Sequence, residues 1–298
     1  MHSEPAVSPK IFLRSREWLL SLPQVYGEDL ESGLKVLVGS WICERAVGLH
    51  SEEFIALAKG IHQRLLAMPE METIVSLDSN LWLLSYLALQ REHLDVPLMT
   101  DMCKSLSAEL LSLEDIPLRY SGEAILLAQL ENWVLRKPSV EAGTRKIREI
   151  MVSNADGLRQ VSADIAGATR YGAAPLCGMS RREYRSVLIG VMVARLRRYD
   201  LELGSTLLRS VRYAGLGKDR SVLDAVAFLR DQQCENGSFG HFAAEVRTLT
   251  KSLEAKQRYQ LGADASIGGL LLPVTLSCLW TLAESYIPGF LLFYPNGV

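Results

Sequence analysis

Residues 270–283 read LLLPVTLSCLWTLA, a segment without a single charged side chain. A helix that is apolar on every face is buried inside a protein. By contrast, residues 51–67 and 139–152 repeat apolar residues at three and four positions and are charged on the opposite face. The sequence therefore predicts two layers of helices, an inner buried set and an outer ring. Three more segments belong to the apolar class: 81–89 (LWLLSYLAL), 124–130 (AILLAQL) and 187–194 (VLIGVMVA).

Helical periodicity extends through nearly the whole chain, and strict alternation of apolar and polar residues is almost absent. This pattern predicts an all-α protein. No Ser/Gly-rich linker divides the sequence, which favours a single domain over residues 1–298 with a flexible N-terminus at residues 1–9. The helices are predicted over 11–21, 30–48, 51–67, 78–92, 98–112, 120–136, 139–152, 156–167, 181–199, 202–213, 219–233, 241–258 and 272–286.

Composition limits the class of protein. The 298 residues are 48% hydrophobic and 22% charged, as in ordinary globular chains. The 32 basic residues are balanced by 34 acidic ones, so no overall positive field exists to hold a nucleic acid. The first ten residues, MHSEPAVSPK, lack the features of a secretory signal. Together with five scattered cysteines, this predicts buried thiols in a reducing, cytoplasmic protein.

The apolar segment from Ala265 to Ala283 just reaches the length of a membrane core. Gly268, Gly269 and Pro273 weaken membrane insertion, and no basic residue follows to set the topology. The segment is therefore predicted to be a buried internal helix rather than a transmembrane span.

Residues 228–239 carry a distinctive pattern: Phe228-Leu229, then Gln233, then Gly237 and Phe239. The first pair would anchor an outer helix, and Gln233 would bond neighbouring backbone near the end of that helix. Gly237 permits the positive φ that ends a helix, and Phe239 would pack beneath the turn. The pattern resembles the QW repeat of squalene and terpene cyclases, whose last aromatic residue is usually Trp. An ordinary Asn-Gly turn after a helix is the alternative explanation.

A weaker copy of the pattern begins at Trp18-Leu19, with Gln24 and Gly27. The resemblance implies an α/α toroid of about six helical hairpins, the ring shared by these cyclases, protein prenyltransferase β subunits and lanthionine cyclases. The DxDD and DDxxD motifs of terpene cyclases are absent from the sequence, as are the zinc motifs of the other two families. No metal and no cofactor are therefore expected.

Five residues are candidates for a site in such a ring. His241 would open an inner helix beside the cavity, where an imidazole acts as acid or base near neutral pH. The Gly/Ala-rich stretch 163–178 supplies Asp164 as a carboxylate partner and Arg170 for an anion. Tyr171 and Trp280 would form the cavity wall. Each has a structural alternative: a first-turn residue for His241, a connecting loop for 163–178 and core packing for Trp280.

Residues 180–220 carry the strongest charge asymmetry in the chain, with ten basic residues against four acidic ones, a balance of +6. Arginine outnumbers lysine nine to one, which favours planar recognition of phosphate, sulfate or carboxylate. This segment predicts a surface for an anionic ligand or an acidic partner, and a solvated outer face is the structural alternative. The basic residues are Arg181, Arg182, Arg185, Arg195, Arg197, Arg198, Arg209, Arg212, Lys218 and Arg220.

Two hypotheses of function follow. In the first, an atypical terpene-cyclase-like toroid binds a small hydrophobic or amphipathic molecule, as a cyclase or accessory enzyme of bacterial natural-product biosynthesis. In the second, a non-catalytic helical subunit or scaffold docks an acidic protein through the Arg-rich face 181–220. A melting temperature that changes with added apolar ligand favours the first hypothesis. A protein complex that weakens as the salt concentration rises favours the second.

Overall fold

The protein is helical wherever its structure is described. A computed structural model describes residues 9–22, 29–67, 79–97, 154–169, 172, 181–240 and 263–286. Within these ranges the chain forms no β-strand, and its β-type pairing is an isolated bridge between Gln233 and Phe239. The all-α prediction is confirmed for this part of the chain. The helices predicted over 98–112, 120–136, 139–152 and 241–258 lie outside the described residues.

Nine α-helices occur in the described ranges, and eight of them begin and end within a few residues of the bounds that the sequence predicts. They are α1 (Lys10–Ser21), α2 (Leu30–Val47), α3 (Glu52–Leu66), α4 (Ser79–Arg91), α5 (Ala155–Ala168), α6 (Arg181–Arg197), α7 (Leu201–Val211), α8 (Arg220–Arg230) and α9 (Ala263–Tyr286).

Side-chain caps fix the boundaries of the early helices. The Asp29 carboxylate accepts hydrogen bonds from the N–H groups of Glu31 and Ser32 and so begins α2. Gly48, with φ of 68°, ends α2 in the left-handed conformation that glycine adopts without steric cost. Ser51 then begins α3, because its hydroxyl accepts a hydrogen bond of 3.1 Å from Phe54 N–H. The predicted helix start at Ser51 is confirmed.

The first of two compact units comprises Met1–Val96 and Arg230–Tyr286. Its central element is α2, which packs against α1, α3, α4 and α9. From Val36 to Glu44 every residue of α2 is buried, so this helix has no solvated face in that stretch. Gly39 permits the closest approach, since a Cβ atom there would lie 2.8 Å from Leu19 of α1. A central helix covered by four others is the core of this unit.

The second unit comprises Pro97–Leu229 and Ile287–Val298. Its central described element is α7, which packs against α5, α6 and a π-helical turn, Arg212–Leu216. Gly204 of α7 lies against Leu196 of α6, where an added Cβ would approach that side chain to 2.5 Å. The single domain and the closed ring stay predictions.

Helix α9 departs from its predicted start. The sequence placed Pro273 near the first turn of a helix over 272–286, whereas Pro273 lies inside α9, which begins at Ala263. A proline ring clashes with the carbonyl four residues earlier, and here that residue is Gly269, whose backbone adjusts most readily. The side chains of Leu271, Leu272 and Leu279 are buried, as expected for an internal helix. Within the described ranges, no helix is long and apolar enough to cross a membrane.

The described cysteines are free thiols. Cys43 and Cys278 are buried, and Cys234 is partly exposed. Burial raises the pKa of the Cys43 thiol, and the neighbouring Arg16 offsets only part of this increase. Cys43 therefore stays protonated and inert at neutral pH, as a packed core residue does. Cys103 and Cys177 lie outside the described residues.

Candidate anion-binding cleft

A cleft of about 470 Å³ lies in the second unit. Arg182 and Arg185 line it from α6, and they share one face of that helix because they are three residues apart. Leu216, Lys218 and Asp219 line it from the segment that joins α7 to α8. Three basic side chains and one carboxylate therefore surround a space of small-molecule or peptide-side-chain size.

The π-helical turn Arg212–Leu216 brings the second set of residues to the cleft. At its fourth residue, Gly215, the backbone has φ of 77°, which breaks the helical path of α7. The next residue, Leu216, is only 4% exposed and fixes the turn to the core of the unit. Lys218 and Asp219 follow after Gly217 and line the cleft together with residues of α6. Helical turns of this type often occur at functional sites.

Asp219 holds two neighbours at once. Its Oδ2 atom accepts a hydrogen bond of 2.5 Å from Arg185 Nε, and its Oδ1 atom accepts one of 3.0 Å from Ser221 N–H. The second bond caps the start of α8. Burial alone would raise the pKa of the Asp219 carboxyl, but the Ser221 N–H and the Arg185 guanidinium outweigh it and lower the pKa. Asp219 is therefore an anion at neutral pH.

The other basic residues of the Arg-rich segment whose side chains the structure describes do not line the cleft. Arg195 pairs with Asp200 at 3.3 Å, and Arg220 lies 3.9 Å from Asp224. Arg209 is only 8% exposed. Arg197 and Arg198 are exposed at the end of α6, away from the residues that line the cleft. Of the basic residues in the segment that the sequence singled out, Arg182, Arg185 and Lys218 line the cleft.

The structure describes two of the five site residues predicted from the sequence. Asp164 lies on α5, within the helix predicted over 156–167, and accepts a hydrogen bond of 2.8 Å from Gln160. Trp280 is 7% exposed on α9, and its Nε1–H donates to Glu284 at 2.7 Å. These two residues belong to different units. Three of the five, His241, Arg170 and Tyr171, lie outside the described residues.

The segment after α8 behaves locally as its sequence pattern predicts. The Gln233 amide donates to the Ile11 carbonyl at 2.8 Å and to the Ser15 hydroxyl at 3.0 Å, which ties the turn to α1. Gly237 has φ of 93°, and Phe239 is fully buried. Thr275 of α9 then accepts a hydrogen bond of 2.9 Å from Phe239 N–H. The helix itself ends earlier than predicted, at Arg230, because the chain turns there to reach α1.

The first unit contains a buried ion network that the sequence analysis missed. Glu44 of α2 is fully buried, and its carboxylate accepts a hydrogen bond of 2.9 Å from Arg16 Nε. Arg91 of α4 lies 3.7 Å from the other carboxylate oxygen. The Ser51 hydroxyl also donates to Glu44, so the cap of α3 joins the network. One carboxylate thus holds four helices together, which is a structural role rather than a catalytic arrangement.

Another partly buried arginine, Arg45, lies beside this network. Its guanidinium stacks over the Trp41 ring, with 5.7 Å between the guanidinium carbon and the ring centroid. Burial and the nearby charge of Arg91 lower the pKa of Arg45, and Glu284 offsets part of that change. Arg45 and the charged groups of the Glu44 network therefore contact aromatic rings or groups of opposite charge. These contacts leave them little access to a ligand.

Within the described ranges, no group of three or more His, Cys, Asp and Glu side chains is arranged to hold a metal ion. The chain matches no protein-family model, no curated protein and no solved structure. The function must therefore be inferred from the chemistry of its own residues.

Proposed function

We propose that this protein is a helical binding subunit that docks an acidic segment of a partner protein in the cleft lined by Arg182, Arg185 and Lys218. The observation that carries this proposal is the 2.5 Å hydrogen bond between Arg185 and Asp219. The cleft already binds a carboxylate of its own chain, so the chemistry that a partner's Asp or Glu would use is in place.

The charge balance of the cleft supports an anionic partner. Arg182 and Lys218 are exposed, and among the described residues neither side chain takes part in an ion pair. Among the described lining residues, Asp219 offsets one of three positive charges, which leaves an excess of two. The whole chain carries a net charge of -2, so the positive charge of the cleft is a local feature. Charges placed in this way raise association rates and select partners by sign.

Binding of a fluorescent hexaglutamate peptide tests the proposal. The wild-type protein is expected to bind this peptide at low salt, and the affinity should fall steeply toward physiological ionic strength. The double variant Arg182→Gln/Lys218→Gln should weaken binding about five- to tenfold, since each exposed charge contributes less than about 1 kcal/mol.

The matched control is the double variant Arg197→Gln/Arg198→Gln. It also removes two positive charges, one from the end of α6 and one from the turn that follows α6. Neither residue lines the cleft. This control should bind the peptide within about twofold of wild type. Equal losses in both double variants would mean that binding follows overall charge, and the proposed docking site would be wrong.

The turn after α8 favours a second candidate function, the cyclase-like toroid that binds a hydrophobic molecule. Its support is local: Gln233 bonds neighbouring backbone, Gly237 has a positive φ and Phe239 is buried, as the sequence pattern predicts, but the helix ends at Arg230 and not at Gly237. His241, the acid or base in this candidate, follows that turn by two residues.

Thermal melting with farnesol, an uncharged isoprenoid alcohol, tests the second candidate. The toroid proposal expects a melting temperature that rises with farnesol concentration. The Arg182→Gln/Lys218→Gln variant should show the same rise, because an apolar cavity does not depend on the cationic cleft. An unchanged melting temperature up to the solubility limit of farnesol would remove this candidate.

A further inference from the structure

We infer that Asp219 is a built-in competitor for the anion site: it occupies Arg185 in the free protein, and the carboxylate of an acidic partner replaces it on that guanidinium. The inference rests on the proposed docking function and adds that Arg185 is the residue that binds the carboxylate of the ligand. It also assigns a ligand chemistry, a side-chain carboxylate, because that is the group Arg185 holds in this structure.

Geometry supports competition rather than a fixed structural pair. Asp219 uses a single Arg185 donor, Nε, and an arginine has five N–H donors in a planar fork. The Arg185 side chain is 62% exposed, so a ligand can reach the rest of the fork from solvent. The Asp219 side chain is only 9% exposed and lines the cleft beside Arg185. An incoming carboxylate therefore meets a guanidinium that is already partly neutralised.

Asp219 has a second hydrogen bond to retain when it loses Arg185. Its Oδ1 atom accepts from Ser221 N–H at 3.0 Å, which keeps the carboxylate at the start of α8. Release of Arg185 therefore breaks an ion pair whose guanidinium is exposed, and the helix cap keeps one hydrogen bond to the Asp219 carboxylate. An exposed guanidinium exchanges one carboxylate partner for another at little net cost.

The variant Asp219→Asn separates these two roles. Asparagine caps helices as well as aspartate does, so the variant should fold normally while the competing charge is removed. Hexaglutamate should bind Asp219→Asn about fivefold more tightly than wild type. Asp224→Asn is the matched control, because it removes the same charge from α8 at a residue that is exposed and does not line the cleft. It should bind the peptide as wild type does.

A double-mutant cycle with Arg185→Gln identifies the guanidinium through which Asp219 acts. If the inference holds, the gain produced by Asp219→Asn disappears when Arg185 is also replaced. Should Asp219→Asn fold poorly, Asp219→Ser supplies a second neutral cap for the same measurement.

The outcomes separate the inference from the function on which it rests. Equal gains in Asp219→Asn and Asp224→Asn, or no gain in either, would overturn the competitor role while wild-type binding to the peptide stands. If neither the wild-type protein nor Asp219→Asn binds hexaglutamate, the docking function itself is overturned. Binding that appears only in Asp219→Asn would support both.

Discussion

Replacing Glu44 with alanine is expected to lower the free energy of unfolding by about 3–5 kcal/mol, a large share of the stability of a domain of this size. Glu44 is fully buried, and Arg16 Nε donates to it at 2.9 Å while Arg91 lies 3.7 Å away. The variant removes the buried carboxylate that these two partly buried guanidinium groups share. Urea denaturation followed by circular dichroism measures the loss.

Glu53→Gln is the matched control for this prediction. Glu53 also accepts a hydrogen bond from Arg16, at 3.1 Å, but its side chain is 68% exposed. Water replaces that partner readily, so the unfolding midpoint of Glu53→Gln should equal that of wild type. If Glu44→Ala does not fold at all, Glu44→Gln keeps the side-chain volume and gives a measurable loss. A Glu44→Gln midpoint equal to that of wild type would show that the network does not stabilise the unit.

Local patterns in the sequence were sufficient to predict most of the described helices. Apolar periodicity and caps such as Ser51 depend on residues within one or two helical turns, so a single chain reveals them. Glu44 shows where this reasoning ends. Its partners lie 28 residues before it and 47 residues after it, and a carboxylate within a helix normally predicts a solvated face. Only the packing of α1 and α4 against α2 makes its burial possible.

The sequence indicated the segment that contributes to the cleft, but not which of its residues line the cleft. The excess of arginine over residues 180–220 indicated an anion-binding surface, but ten basic residues gave no reason to prefer three. The selection depends on the positive φ of Gly215 and on the turn that carries Lys218 and Asp219 back to α6. The helical pattern over 202–213 did not predict the π-helical turn that follows it. In the sequence analysis Asp219 was therefore only one of the four acidic residues of the segment.

Gly237→Ala is expected to destabilise the protein by about 3 kcal/mol, because it combines backbone strain with a steric clash. The φ of 93° at Gly237 is one that residues with a Cβ atom rarely adopt. A Cβ atom there would lie 2.2 Å from the Arg14 carbonyl oxygen and 2.9 Å from Ser15 N, both in the backbone of α1. A helix backbone cannot rotate away as a side chain can. Helix α1 must therefore move, and the urea midpoint should fall accordingly.

Two other glycines divide this cost into its parts. Gly48 has φ of 68° and open space around it, so Gly48→Ala pays for the backbone conformation alone, about 1 kcal/mol. Gly60 lies within α3 with nothing nearby, so Gly60→Ala should stabilise by about 0.5–1 kcal/mol. If Gly237→Ala lowers the free energy of unfolding by no more than Gly48→Ala does, the turn is not packed closely against the backbone of α1. The Gln233 and Ser15 hydrogen bonds would then be too weak to fix it there, and the second candidate function would lose its local support.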